Sequence, residues 1–334
     1  MRINREALLR IARDTVSQRA RTDRSLLSAC LCGSLLGDDY LLGGTADIDL
    51  VLVHINTPLQ EREIVRLTDE VHLDIAHYAQ NDFHQARKLR TYPWLGPTIF
   101  TCQVLYDPQH FMDFTQASVR GQFDRAEYVL GRARVQTEHA RQIWMAFYRE
   151  TPAQTDPREL GRYLRAVGNA ANAVASLSGP PVADRRLLLE FPRRAQAVAR
   201  PGLHPGLLGL LGAPHVDNRV VRGWLADWQA SLELAAQENP PARLHPARLA
   251  YYRQAFEALL EGSEPMAALW PLLRTWTEAA SLLPPESASH RAWKEAMGQL
   301  SLGEVDFAGR VQALDAYLDL VEETLEDWAR AAGV

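Results

Sequence analysis

Gly33-Ser34, Asp47-Ile48-Asp49 and Asp74 are the residues of this chain whose types and spacing suit chemistry. Twelve residues separate Ser34 from Asp47, and 24 separate Asp49 from Asp74. Each group lies on or beside an apolar run: residues 26–31 lead into Cys32-Gly33-Ser34, 48–53 adjoin the acid pair, and 71–78 carry the lone acid. Side chains on a strand alternate faces, so Asp47 and Asp49 point one way while Ile48, Leu50 and Leu52 point the other. By the same rule Asp74 shares a face with His72, Ala76 and Tyr78, opposite Val71, Leu73 and Ile75. Where the two runs neighbour one another in a sheet, three carboxylates converge on one patch. Hard divalent cations with oxygen ligands relieve the repulsion among them. Two such ions, about 3.5–4 Å apart, can grip a triphosphate and stabilise the attacking and leaving oxygens of an in-line displacement. A glycine lets the backbone approach phosphate closely, and turn amides with the Ser34 hydroxyl can donate to it. The chemistry implied is magnesium-dependent nucleotidyl transfer.

The elements that must position these residues follow from periodicity. Residues 5–19, with Asn4 as cap and Leu8, Leu9, Ile11, Ala12 and Val16 apolar, predict an amphipathic helix. Strands are predicted over 26–31, 48–53, 71–78 and 100–106, with a flexible loop over 35–46, a polar helix or helix-loop over 58–70, and a short helix from Asn81 or Asp82 to about Arg90. After residue 115 the pattern is helical: 126–149, 158–178 ending at Gly179-Pro180-Pro181, 219–236, helices opened by Pro246 and Pro265, and 305–331. Proline- and glycine-rich stretches at 200–217 and 238–246 read as internal joints. The fold class expected is α+β: a small mixed-sheet domain over 1–115, then an all-α bundle over 116–334 with two lobes meeting near 238–246.

Bulk composition agrees with a globular protein. The 334 residues are 47% hydrophobic and 23% charged, with a net charge of −5 and no basic half. That balance argues against a dedicated nucleic-acid partner. No apolar run has the length of a membrane span, and residues 1–20 scatter arginines among the aliphatics, so a cytoplasmic location is expected. The odd count of three cysteines, Cys30, Cys32 and Cys102, reads as small buried residues rather than a disulfide framework.

The segment Gly33-Ser34 … Asp47-Ile48-Asp49-Leu50-Val51 … Leu73-Asp74-Ile75, closed by Val104-Leu105-Tyr106-Asp107-Pro108, resembles the DNA polymerase β-like nucleotidyltransferase superfamily. Within it, the order of a small catalytic domain and a helical domain is similar to the bacterial antibiotic (kanamycin-type) nucleotidyltransferases. The resemblance covers about the first 115 residues. It implies that Asp47 and Asp49 bind the nucleotide-bound metal, that Asp74 completes the catalytic metal site, and that Gly33 and Ser34 hold the β- and γ-phosphates. It also implies two Mg²⁺ ions, a nucleoside triphosphate donor (ATP favoured), and an acceptor hydroxyl on a small molecule such as an aminoglycoside. The loop after Ser34 runs Leu35-Leu36-Gly37-Asp38-Asp39, without the basic residue such loops often carry. Arg87, Lys88 and Arg90 follow the third strand, and Lys88 joins Gly33 and Ser34 as a nucleotide-binding candidate; a solvated helix face is the plainer reading of all three. Glu127 and Glu138, on the first helix of the second domain, are both open as general base. A protein-AMPylating, antitoxin-like enzyme and a catalytically degenerate nucleotide-binding or partner-binding module are the alternatives, and a homodimer is one partner arrangement left open.

Overall fold

The computed structural model describes residues 3–150, 156–303 and 306–334. Two compact units, Met1–Arg125 and Ala126–Val334, divide the chain. The first is α+β and the second is helical.

In the first unit, α1 (Arg5–Thr22) starts where the Asn4 side chain accepts from the Ala7 amide, and it buries Leu8, Ala12 and Val16 along one stripe. β1 (Leu26–Cys32) is buried along its whole length, as a strand covered on both faces must be. β2 (Ala46–His54), β3 (Arg62–Arg66) and β4 (Val71–Ala79) follow. Then come α2 (Ala86–Thr91), α3 (Leu95–Thr101), β5 (Gln103–Tyr106) and α4 (Phe111–Arg120). The five strands lie in the order β3-β4-β2-β1-β5, with β2 and β4 parallel and the other pairs antiparallel. Under one face, Leu8, Ala12 and Val16 pack with Ile48, Leu50, Leu52, Leu73 and Ile75. On the other, Cys30, Cys32, Val51 and Val53 pack with Leu89, Ile99, Met112, Val119 and Phe123. Each fully buried aliphatic side chain there contributes roughly 1.5–3 kcal/mol. All three cysteines are free thiols buried in this second layer, as expected from their odd number.

Several expectations are corrected. Residues 58–70 contain strand β3 rather than a helix: Ile64 and Val65 are β-branched, and the strand pairs with β4 through a turn at Thr68. Its charged ends, Arg62 and Arg66, suit an exposed sheet edge. Residues 100–106 split between α3 and β5. Thr98 and Thr101 in α3 bond back to the carbonyls of Trp94 and Pro97, which satisfies their hydroxyls inside a helix. The stretch 200–217 is not a loop throughout, as described next.

The second unit comprises α5 (Ala126–Arg149), α6 (Pro157–Ala175), α7 (Leu187–Ala197), α8 (Leu203–Leu210), α9 (Asn218–Gly223), α10 (Leu225–Ala235), α11 (Leu249–Glu261), α12 (Leu269–Ala280), α13 (Ala288–Gln299) and α14 (Phe307–Ala332). Helix α8 fills the middle of the expected loop, burying Leu203, Leu207 and Leu210 on one side. The expected helix 219–236 is two, broken at Trp224. The last helix buries Phe307, Val311, Leu314, Leu318, Val321 and Leu325 along one face, while Trp328 is only half-buried and Val305, where the expected helix begins, lies outside the described residues. Buried indoles are satisfied around α12: Trp228 donates to Thr275, Trp276 to Ser231 and Trp293 to Thr277. Asn172 on α6 clasps the backbone of Val182, accepting from its amide and donating to its carbonyl. Among the described residues no helix is long and apolar enough to cross a membrane.

Candidate active site

The parallel ladder between β2 and β4 sets Asp49 directly opposite Asp74 and Asp47 opposite His72. The antiparallel ladder on the other side of β2 sets Cys32 opposite Asp49, which brings the end of β1 to the same place. Asp47 and Asp49 are half-buried and Asp74 is buried. One ligand oxygen from each of the three lies within 4.8 Å of the other two. The alternation read from the sequence thus holds, because the core residues on these strands occupy the opposite face.

Gly33 ends β1 with φ of 74° and ψ of −160°, a backbone that favours glycine. A Cβ placed on it would stand 1.8 Å from Oδ2 of Asp49, so the turn is pressed against the carboxylate. Ser34–Leu36 then form one tight turn, with the Leu36 amide bonded to the Gly33 carbonyl and the Gly37 amide to that of Ser34. Leu35 is sunk into the core under α1. From α1, Arg5 donates through Nε to the Leu35 carbonyl (3.1 Å) and through Nη2 to that of Leu36 (3.0 Å). The Ser34 hydroxyl is enclosed and has no hydrogen-bond partner among the described residues. A buried hydroxyl without a partner costs about 1–3 kcal/mol, and this one directly follows the glycine pressed against Asp49.

Asp74 has a protein cation at hand. Arg62 donates to it in a fork, Nε to Oδ1 at 2.6 Å and Nη2 to Oδ2 at 2.7 Å. The sequence concealed this residue, since Arg62 lies in the stretch read as a polar helix or helix-loop; a strand reading of Arg62–Arg66 would have placed it on the triad's face. Lys88 sits exposed on α2, as does Arg87, while Arg90 is tied to Gln122 and to the Ser118 carbonyl. His72, on the same face as Asp74, is buried. Glu138 lines an open groove of about 650 Å³ between α5 and α14 within the second unit, together with Arg134, Arg141, Arg149 and Glu326.

Three oxygen donors at this spacing, a glycine cradle closed on one of them and a partnerless hydroxyl beside them fit a hard divalent cation with a phosphorylated ligand. Compared with models of known protein families and with curated proteins, the chain matches none.

Proposed function

We propose that this protein is a nucleotidyltransferase, transferring a nucleoside monophosphate from a nucleoside triphosphate to an acceptor hydroxyl with release of pyrophosphate. The observation that supports this most is the convergence of Asp47, Asp49 and Asp74 beside the Gly33-Ser34 turn. Asp47 and Asp49 would hold the divalent cation that accompanies the triphosphate, and Asp74 would extend the same patch toward the acceptor. Magnesium held by these acids would supply positive charge to the phosphoryl oxygens and to the departing pyrophosphate. The Ser34 hydroxyl and the amides of its turn donate to the terminal phosphates. The acceptor oxygen bonds to the α-phosphorus as the bond to the α–β bridging oxygen breaks; pyrophosphate leaves with that oxygen and the hydroxyl proton passes to solvent, a displacement that needs positioning and charge more than covalent help from the protein.

A thermal-shift panel of ATP, GTP, CTP and UTP, with and without Mg²⁺, tests the reading on wild type and Asp47→Ala. A ligand that binds the folded state raises the midpoint. The expected result is a Mg²⁺-dependent rise for at least one nucleotide, ATP first, that disappears in the variant. No rise with any nucleotide overturns the proposal.

A further inference from the structure

Arg62 and Arg66 lie on one face of the same short edge strand, yet they do different things. Arg66 pairs with Asp69, an acid of the adjoining turn that stands in solvent. Arg62 pairs with Asp74, whose side chain is 2% exposed while its own is 49% exposed. The ladder explains the reach. Arg62 is opposite Ala76 and Ile64 is opposite Asp74, so the arginine is the diagonal neighbour of the acid on the face that carries the triad. Both oxygens of Asp74 receive a guanidinium N–H in the planar, bidentate geometry that makes such pairs strong.

A guanidinium cannot shed its proton in a protein, so the triad always has one positive charge beside it. Three carboxylates with oxygens within 4.8 Å of each other concentrate negative charge, and the guanidinium offsets part of it. A divalent ion bound to Asp74 would stand next to the same guanidinium. Like charges that close repel, so the ion and Arg62 compete for one carboxylate.

We propose that Arg62 is the positioning residue of this site and takes the place of one of its two cations: its fork holds Asp74 aimed at Asp47 and Asp49 and sets a fixed positive charge beside them, so the nucleotide-free protein binds a single divalent ion tightly. The second ion enters with the triphosphate, whose negative charge offsets the arginine. The inference rests on the nucleotidyltransferase reading for the identity of the second ion's carrier, and on the geometry alone for the first.

Counting Mn²⁺ on the nucleotide-free, full-length chain, by the loss of the free-ion electron paramagnetic signal and by calorimetry, tests it. Wild type should bind one Mn²⁺ tightly. Arg62→Met and Arg62→Gln, which remove the charge with and without loss of a hydrogen-bond donor, should bind a second Mn²⁺ at least about tenfold more tightly than wild type does. Both uncharged variants should also melt lower than wild type without metal and gain more from saturating Mn²⁺. Arg62→Lys, which keeps the charge, should return the count to one. A residue that merely braces the sheet edge would lower all three midpoints without changing the count. Two equally tight ions on wild type, or identical counts and affinities on wild type and both uncharged variants, would overturn the proposal. Failure of every form to bind Mn²⁺ would overturn it together with the metal-dependent reading. The stated counts without any nucleotide-dependent shift would uphold Arg62's role and sink the transferase reading alone.

Discussion

Gly33 and Asp49 are in such close contact that a methyl group on the glycine would lie 1.8 Å from the carboxylate Oδ2. The approach is what lets a turn amide and an acid serve one ligand. Gly33→Ala therefore forces the carboxylate aside and strains a backbone at φ of 74°. The expected cost is about 1–3 kcal/mol of stability, with loss of the Mg²⁺-nucleotide thermal shift. Gly44 is the control: its φ is 72° but nothing lies within 4 Å of an added Cβ. Gly44→Ala should cost about 1 kcal/mol through the backbone alone and keep the nucleotide shift. Melting curves of both variants with and without Mg²⁺-ATP decide it.

Replacing Asp49 by Asn removes one of three mutually repelling charges, so stability and activity should move apart. In a chelator, the midpoint of Asp49→Asn should equal or exceed that of wild type, because the remaining acids repel less. Pyrophosphate release under Mg²⁺-NTP should fall at least about a hundredfold, the order expected when one preorganised electrostatic group is lost. A variant that melts well below wild type in chelator would mean that Asp49 is a structural residue.

How much of this was legible in the chain depended on which signals are local. The face shared by Asp47 and Asp49 follows from strand alternation, and the apolar 48, 50 and 52 positions fixed which face it was. That Asp74 stands opposite Asp49 required β2 and β4 to be adjacent and in register, which periodicity alone does not specify; the sequence reading made convergence conditional on the two strands being neighbours, and the ladder meets that condition and adds the register. The Arg62 fork was out of reach. Residues 62–66 are too polar to announce a strand, because an edge strand buries little and gains its order from pairing with β4. Likewise α3 was hidden by β-branched threonines whose hydroxyls turn out to bond back along the helix. Helix α8 was masked by its glycines and proline, although its buried leucines sit one helical turn apart.

His54 and His77 form a buried hydrogen-bonded pair, Nε2 to Nδ1 at 2.9 Å, on the face of the sheet away from the triad. Ser25 and Asp23 face His54, and Glu63, itself bound by Arg19, faces His77. Burial holds both imidazoles below the ordinary histidine value of 6.5, outweighing the attraction of Asp23 and Glu63. The unfolded chain therefore takes up protons first as pH falls. Stability from this pair is fully present above pH 6.5 and is lost as pH drops below it through the lowered native values. Midpoints recorded from pH 8 to pH 5 should fall below about pH 6.5 in wild type and flatten in a His54→Asn, His77→Asn double variant. Asp23 is held low mainly by its bond from Ser25, so its own contribution goes only in stronger acid. An equally steep fall in the double variant would assign the effect elsewhere.

Arg141 ties α5 to α14 by donating to Asp315, Asp319 and Glu322 while lying against the Trp144 ring. Those acids occupy successive turns of one helix face, so without the guanidinium they repel. Arg141→Met should cost about 1–3 kcal/mol, between the values for exposed and for buried pairs because the acids are partly solvated. Part of the loss should return at 1 M salt, where repulsion among the acids is screened. Urea titrations at low and high salt measure both, and a loss unaffected by salt would show that packing against Trp144 is what matters.

Arg5 offers the sharpest separation of site from scaffold. It stands on α1, yet its guanidinium bonds the Leu35 and Leu36 carbonyls and so fixes the turn that carries Ser34. The turn has no basic residue of its own, and Arg5 already faces Asp38 at 3.8 Å. Because the side chain is part-exposed, water can replace it at the carbonyls, and Arg5→Met should cost no more than about 1 kcal/mol of stability. The turn amides would nonetheless lose their fixed aim, and binding that relies on preorganised donors suffers more than the fold does. The expected outcome is a midpoint within a few degrees of wild type and an affinity for Mg²⁺-ATP weakened about tenfold, the equivalent of 1.4 kcal/mol. Arg5→Lys should recover the charge but not the two-carbonyl fork, and hence little of the affinity. Full affinity in Arg5→Met would mean that Leu35, buried beneath the turn, holds Ser34 in place unaided.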